Sequence, residues 1–571
     1  MKIRIKLSSA IFFILLSIPS LGLNLTKSIV PGVSLTQIIR TAPQEPQIIN
    51  IVSIDLTNPS ISIKLGLSKD AVYVDDYSKG RESISSITKR KGALVGINAD
   101  YFPMNWGGDP LGIGIMDGEL ISEARGNRAA IAFPSNGTPF IDIPVSTAKI
   151  TLANGVTHII DGINKTRETG QLIAYTKAFG LTTQSKFKAC DVVLSSSDMP
   201  IKIGKTIKAS VVQLLPDSLN NTIPDGSILL SGGGSVGQWL KENLKAGDVV
   251  TLNFDVCSPN CLDWSKVNTA IGGGPWLLKD GRVYIDNTEE GFARIFATGL
   301  NPRSAAGITA DNKLMLVTVD GRQAMSKGMS LDSLASLMKE LGCINALNLD
   351  GGGSTALSVA GLIINSPSEN IERLVADALL VYSQDMPNVS NKAVISASND
   401  KSLSSQPVQM SLRNSDQSYV LQDKILQGVW GSVGGIGFID QQGLFYPALA
   451  KKGTIGWFSK DGLSSKEMEV LQGYTADINI KGTQDAPDSI RYTIIITAKD
   501  SYGNLVRDAD VIISATGGVL EQENCKTDMK GQMVTGICWD GTSSEISIKA
   551  VIEGVSSVLK IKALKQPTST P

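Results

Sequence analysis

Asp350-Gly351-Gly352-Gly353-Ser354-Thr355 sets a carboxylate directly against three glycines and two hydroxyls. Glycines let the backbone approach a ligand closely and can present N–H groups to an anion. Ser354 and Thr355 add hydroxyl donors to the same loop. Glycine is entropically costly where nothing requires it, so three in a row call for a reason. Asp320-Gly321-Arg322 offers a second carboxylate, although Asp-Gly is also the commonest hairpin turn. Ile271-Gly272-Gly273-Gly274-Pro275-Trp276 is another glycine run, and Asn98-Ala99-Asp100-Tyr101-Phe102 is a third polar cluster. Asp109, within Gly108-Asp109-Pro110-Leu111-Gly112, and Arg128 complete the candidates from residue type alone. None of these is a phosphate P-loop, because the lysine and the spacing are wrong.

The elements around Asp350 can be read from periodicity. A strand over 313–319 ends at Asp320. Ser330 is placed to cap a helix, with Asp332 in the first turn where the helix dipole favours a carboxylate. Leu331, Leu334, Leu337, Met338 and Leu341 fall on one face, and Gly342 stops the helix. A second strand over 344–349 then runs into Asp350. Strand, helix, strand of this length is a crossover unit with parallel strands, which puts Asp320 and Asp350 at one sheet edge. Asn98 and Asp100 likewise follow an apparent strand over 93–97. The expected fold class is therefore α+β (mixed α/β) for the N-terminal catalytic domain, followed by all-β Ig-like sandwich domains.

Composition narrows the chemistry. The 571 residues suggest three or four domains. With 53 basic and 54 acidic side chains there is no global field to attract nucleic acid or anionic lipid. His158 is the single histidine and lies in a strand-like run, which nearly excludes histidine-rich metal sites and His-based nucleophilic triads. Lys2, Arg4 and Lys6 precede an apolar run from Ala10 to Ile18, with small residues at 20 and 22, the layout of a signal peptide over 1–22. No later run suits a membrane helix, so the mature chain is expected to be exported: extracellular, periplasmic or at the cell surface. Cys257 and Cys261, and Cys525 and Cys538, read as local disulfides of an oxidising compartment, leaving Cys190 and Cys343.

The pattern divides into a catalytic block over 23–382, a linker over 383–399 rich in Ser, Asn and Pro, and a tail of short alternating segments. Val429-Trp430-Gly431-Ser432 with Ile439-Asp440-Gln441-Gln442-Gly443-Leu444-Phe445 resembles bacterial Ig-like repeats, and gives a module over 400–475. The alternating run 492–499 leading into Asp500-Ser501-Tyr502-Gly503-Asn504-Leu505-Val506 resembles an invasin-type Ig-like domain over 476–565. Such modules act as spacers or as binders of envelope or surface, not as catalysts.

Gly96-Ile97-Asn98-Ala99-Asp100-Tyr101-Phe102, Gly272-Gly273-Gly274-Pro275, Asn301-Pro302-Arg303-Ser304-Ala305 and Asn348-Leu349-Asp350-Gly351-Gly352-Gly353-Ser354-Thr355 occur in the order of one family. The block over about 48–382 resembles the phosphodiester glycosidases. Asp100 stands where relatives carry a small residue, and Ser304 where threonine is common. The resemblance implies that Asn98, Arg303, Asp350 and 351–355 line an active site for a sugar-1-phosphodiester in a glycan or sugar-phosphate polymer. The leaving group would be a phosphate monoester with a last pKa of about 6, which needs little help from a general acid. It does need a cationic clamp, and arginine matches phosphate with its planar fork. Arg303 is the first choice and Arg128 the second. Asp350 is the carboxylate for the anomeric carbon, with Asp320, Asp109 or Asp100 as its partner, and Gly273, Gly274 and Ser304 complete the binding set. No cofactor is identified, while clustered aspartates leave room for a divalent cation. Two other readings stand beside this one: a non-catalytic glycan-binding surface protein and a metal-dependent phosphodiesterase.

Overall fold

A computed structural model of the chain describes residues 22–41, 45–286, 288–387, 393–414, 416, 418, 427–487 and 489–562. The expected signal peptide, apart from Gly22, lies outside these residues, as do 388–392 of the expected linker and 563–565 of the last module.

Strand accounts for 48% of the described residues and helix for 8%, so these are mostly β and the expected mixed α/β catalytic domain is overturned. The crossover helix itself is present at Leu331–Glu340, capped by Ser330, whose side chain accepts from Ser333 N, and buried through Leu331, Leu334, Ala335, Leu337 and Met338. What fails is the layering built on it. The two flanking strands, Lys313–Val319 and Cys343–Asn348, are not neighbours, because Arg303–Thr309 lies between them antiparallel to both. The two are therefore parallel to each other, and Asp320 and Asp350 do leave the sheet at the same edge. The intervening strand is buried throughout and packs Ala305, Ala306 and Gly307. Fully buried antiparallel strands of this kind have no polar alternation to announce them.

Three sheets meet around the block's main core. One has eight strands and carries Gln47–Asp55, Lys313–Val319, Arg303–Thr309, Cys343–Asn348 and Trp276–Lys279 in that spatial order. A five-stranded sheet is centred on Val267–Gly272. A nine-stranded sheet includes Val95–Asn98, Leu357–Val359 and Asp377–Ser383. Val52, Ile97, Ile131, Ile271, Leu316, Leu347, Leu357 and Leu379, drawn from all three, share one cluster. A separate eight-stranded sheet contains Val145–Leu152 and Val249–Cys257 and has its own core around Val192, Leu230 and Phe254. His158 lies in that sheet, its ring 4.7 Å from that of Trp239.

The nine-stranded sheet does not stop at the block over 23–382. Leu362–Ile363 is followed across the sheet by Gly428–Val433, Lys452–Ser459 and Gly462–Leu471 of the tail, with Ile363 paired to Ser432. Val429 and Phe458 enter the block's own core cluster. Beyond 476, two four-stranded sheets face each other across Ile494, Ile496, Ile537, Ile546 and Ile548 and form a sandwich. All six cysteines are free thiols, contrary to the expected disulfides. Cys525 and Cys538 sit in opposite sheets of this sandwich. No helix among the described residues is long and apolar enough to cross a membrane.

Candidate active site

Strand ends from the three sheets of the main core converge on one place. Val95–Asn98 ends at Asn98, Val267–Gly272 runs into Gly273 and Gly274, and Cys343–Asn348 runs into Asp350. Arg303 opens the strand whose Ala305 pairs with Asn348. Backbone bonds stitch these ends together: Leu349 N donates to Ser304 O (2.9 Å) and Asp350 N to Ala99 O (3.0 Å). Gly274 N donates to Asn348 O (2.7 Å), and a Cβ on Gly273 would stand 2.7 Å from that same oxygen, so only glycine fits. Asn98 is the central staple. Its amide nitrogen donates to Asp350 O (2.5 Å), and its Oδ1 accepts from Ser304 Oγ (2.7 Å) and Ala356 N (3.1 Å). Asn98 and Ser304 are fully buried and spent on each other, so they hold the Asp350 loop.

Asp350 is half-buried, and its carboxyl has few partners. Oδ1 accepts from Gly351 N (2.9 Å), and the Ser354 side chain adds a second bond. Burial pushes its pKa up to about 6, against those bonds and the charge of Arg373. Asp100 is more enclosed. Tyr101 N (2.7 Å) and Gly112 N (2.6 Å) donate to it, and burial pushes it up to about 7, with Arg128 opposing and Asp350 adding to the rise. Asp377 accepts from Asp100 N (2.9 Å) and is raised well above the ordinary range by burial and by Asp100. Asp100 and Asp377 thus form a buried carboxyl pair within electrostatic reach of Asp350.

Tyr101 is the hub of this cluster. Its hydroxyl donates to Gly274 O (2.8 Å) and accepts from Asn348 Nδ2 (2.9 Å). Burial raises its pKa, and the charges of Asp350, Arg128, Arg303 and Asp100 all reach it. Arg128 stacks against it, 5.2 Å from the Tyr101 ring and 4.4 Å from that of Phe292, and its Nη1 is buried without a hydrogen-bond partner. Arg303 is 1% exposed and largely committed: Nε donates to Met329 O (2.9 Å), and Nη2 to Phe296 O (2.8 Å) and Gly299 O (2.9 Å). Burial lowers its pKa to about 10.

The loop 351–355 is less of an N–H cradle than its glycines suggest. Gly351 N serves Asp350, Gly352 N donates to Pro302 O (2.9 Å), Ser354 N to Gly351 O (3.1 Å) and Thr355 N to Gly352 O (3.3 Å). Thr355 Oγ1 remains buried and unpartnered, as does Asn348 Oδ1. A Cβ on Gly353 would overlap the guanidinium of Arg373, which reaches Ser354 Oγ and pairs with Glu369.

Two candidates lie outside this group. Asp320 is fully buried and clamps Asn365 Nδ2 (2.9 Å) and Ser366 N (2.9 Å), and burial pushes it up to about 7. It supports the loop from behind, since Asn365 Nδ2 also donates to Thr355 O (3.2 Å). Asp109 is half-buried, and burial and the charge of Glu123 raise it well above the ordinary range. Tyr101, Phe292, Glu290, Asp377 and Arg373 were not singled out from sequence. Glu290 bridges Ala129 N (3.0 Å) and Trp276 N (2.7 Å), joining the residue after Arg128 to the residue after Pro275. Only Tyr101 carried a signal, as part of the Asn98–Phe102 cluster; nothing local marks the others. No group of three or more His, Cys, Asp or Glu among the described residues is arranged to hold a metal ion.

Residues 205–382 match the family model of the phosphodiester glycosidases. The SPbeta prophage-derived protein YomE of Bacillus subtilis is 39% identical over 112 residues, 20% of this chain and 17% of that one. The mouse N-acetylglucosamine-1-phosphodiester alpha-N-acetylglucosaminidase is 27% identical over 168 residues, 27% of this chain and 31% of that one. The chain thus spans less than a third of the length of these curated relatives. A crystal structure of a Synechocystis protein shares the fold over 62% of each chain, with a TM-score of 0.52 at 23% identity.

Proposed function

We propose that this chain, which carries a phosphodiester glycosidase domain over 205–382, is an exported hydrolase that breaks the sugar C–O bond of a sugar-1-phosphodiester in a glycan or cell-envelope polymer. One observation carries the reading: Asp350, its carboxyl pushed up to about 6 by burial, lies with Arg128 around Tyr101, and the buried Nη1 of Arg128 has no hydrogen-bond partner. An unpaired buried donor is costly, and a bound anion would satisfy it. Arg128 is accordingly the phosphate clamp, its guanidinium lying over the adjoining Tyr101 and Phe292 rings, with the Thr355 hydroxyl as a further donor. Arg303 becomes a positioning residue, because most of its fork holds the carbonyls around 296–299 and Met329. Phosphate leaves without needing a proton, and Asp350, ionised above about pH 6, serves the anomeric carbon as nucleophile or as base on water. Asn98 and Ser304 hold Asp350 in place.

Turnover of sugar-1-phosphodiesters in ¹⁸O-labelled water tests the bond cleaved. Label is expected in the sugar. Label in the phosphate overturns the glycosidase reading in favour of phosphodiesterase chemistry, and turnover that survives both Asp350→Asn and Arg128→Ala overturns the site.

A further inference from the structure

A cleft of about 520 Å³ opens between the catalytic block and the tail. The block contributes Arg322, Gln323 and Ser368, the first tail module Gly435 and Tyr446, and the final sandwich Tyr502. Its volume falls in the range of about 300–1,000 Å³ typical of small-ligand sites. Three parts of the chain build it, and they are fixed to one another. A Cβ on Gly435 would stand 2.9 Å from the Ile371 side chain and 3.0 Å from Asn370 O, so the tail turn presses directly on the block. Ser404 Oγ (2.5 Å) and Gly473 N (2.9 Å) donate to Asp500, while Asn504 exchanges bonds with Ala448 O (2.8 Å) and Ala450 N (2.9 Å). The walls are therefore set before any ligand arrives.

The cleft adjoins the Asp350 loop through one residue. Arg322 Nη2 donates to Asn301 Oδ1 (2.9 Å) and would lie 3.2 Å from a Cβ on Gly352. The Arg322 backbone is left-handed, at φ 60°, a conformation that costs a non-glycine residue energy and persists only where the surroundings impose it. Its guanidinium is exposed and makes no ion pair with a described carboxylate, whereas Glu372, the acid lining the cleft, is occupied by Ser85 N (2.8 Å) and Ser85 Oγ. The uncommitted charge is thus positive. Ser368 Oγ is buried there without a partner, and Tyr446, stacked on Phe438 with ring centroids 5.9 Å apart, and Tyr502 supply aromatic surface.

We propose that this cleft is a second subsite, which binds the next repeat of an anionic glycosyl-phosphate polymer, with Arg322 meeting its phosphate and the tyrosines its sugar. The inference rests on the reading of the Asp350 site given above and extends it: the substrate is a polymer, and the tail helps to hold it.

The test is calorimetric titration of the full chain carrying Asp350→Asn with a synthetic single-repeat hexose-1-phosphodiester and with its three-repeat oligomer. The trimer is expected to bind at least ten-fold more tightly than the single repeat, and Arg322→Ala, an exposed substitution, to shrink that ratio to within two-fold. Tyr502→Ala gives an independent second reduction. No trimer advantage, or one that survives both substitutions, overturns the subsite. Turnover of the single repeat by the unaltered chain without a trimer advantage removes the subsite and leaves the hydrolase standing. An Arg322-dependent trimer advantage without turnover of either compound supports the cleft and removes the hydrolase.

Discussion

Asp350 and Asp500 both follow a strand and both begin a glycine-containing turn, yet their carboxyls move in opposite directions. Burial alone would raise both. At Asp500, bonds from Ser404, Asn504 and Gly473, with Tyr502 N and Asn504 N (each 2.9 Å) on the other oxygen, overcome burial and hold the carboxyl below its usual range. At Asp350, Gly351 N and the Ser354 side chain are too few, and the carboxyl rises to about 6. The contrast separates a carboxylate used as a joint from one left able to react. The difference lies in how many donors surround the carboxylate, not in the residue or its turn.

The comparison can be broken most directly by exchanging the two sites. Asp350→Asn is expected to lower turnover of a sugar-1-phosphodiester about 10³-fold, within the range for losing an acid–base or nucleophilic group, with a melting temperature equal to or above the parent's. Asp500→Ala should leave turnover alone but destabilise the chain by about 3 kcal/mol, the cost of stranding buried donors, read by calorimetry. If the two substitutions give the same pattern, the distinction fails.

The arginines offer a smaller version of the same contrast. Arg128→Lys should cost about ten- to a hundred-fold in kcat/KM, since a lysine cannot reproduce a stacked planar fork, with little change in melting. Arg303→Lys should cost stability first, about 2 kcal/mol, because three carbonyls lose their donor.

The pH dependence sharpens the comparison most gently. Folded Asp350 takes up its proton near 6, against about 3.9 when free. The folded state binds more protons between those values, so this group costs stability as pH rises through that window. Asp500 works the other way, contributing stability above the ordinary carboxyl range that is lost in acid. A profile of kcat/KM should fall about ten-fold per unit below pH 6 as Asp350 is neutralised, and a profile flat to pH 4 would exclude it as the working carboxylate.

Much of the site was legible because its residues sit at strand ends: Gly273, Gly274 and Asp350 lie in glycine runs, and Asn98 closes its strand. The helix at 331–340 was legible from its apolar face and Ser330 cap. The fold class was not, because a single crossover unit looks the same in an α/β layer and in a sheet with an antiparallel strand inserted. The different surroundings of the two arginines were not legible either. Arg303 and Arg128 are the same residue in sequence, and only the carbonyls around one and the aromatic faces around the other tell them apart. Phe292, Glu290 and Arg373 come from turns and loops whose approach to the site no local pattern encodes.

The pairing of Ile363 with Ser432 has a practical consequence for anyone dissecting the chain. A truncation placed between 383 and 399 would strip Gly428–Val433 from Leu362–Ile363 and leave a bare strand edge beside Leu362 and Ile364, which now pack with Val429 and Phe458. Open edges of this kind template association with other chains. A shortened chain would be expected to self-associate, and the smallest fragment that behaves well would keep the tail through Leu471.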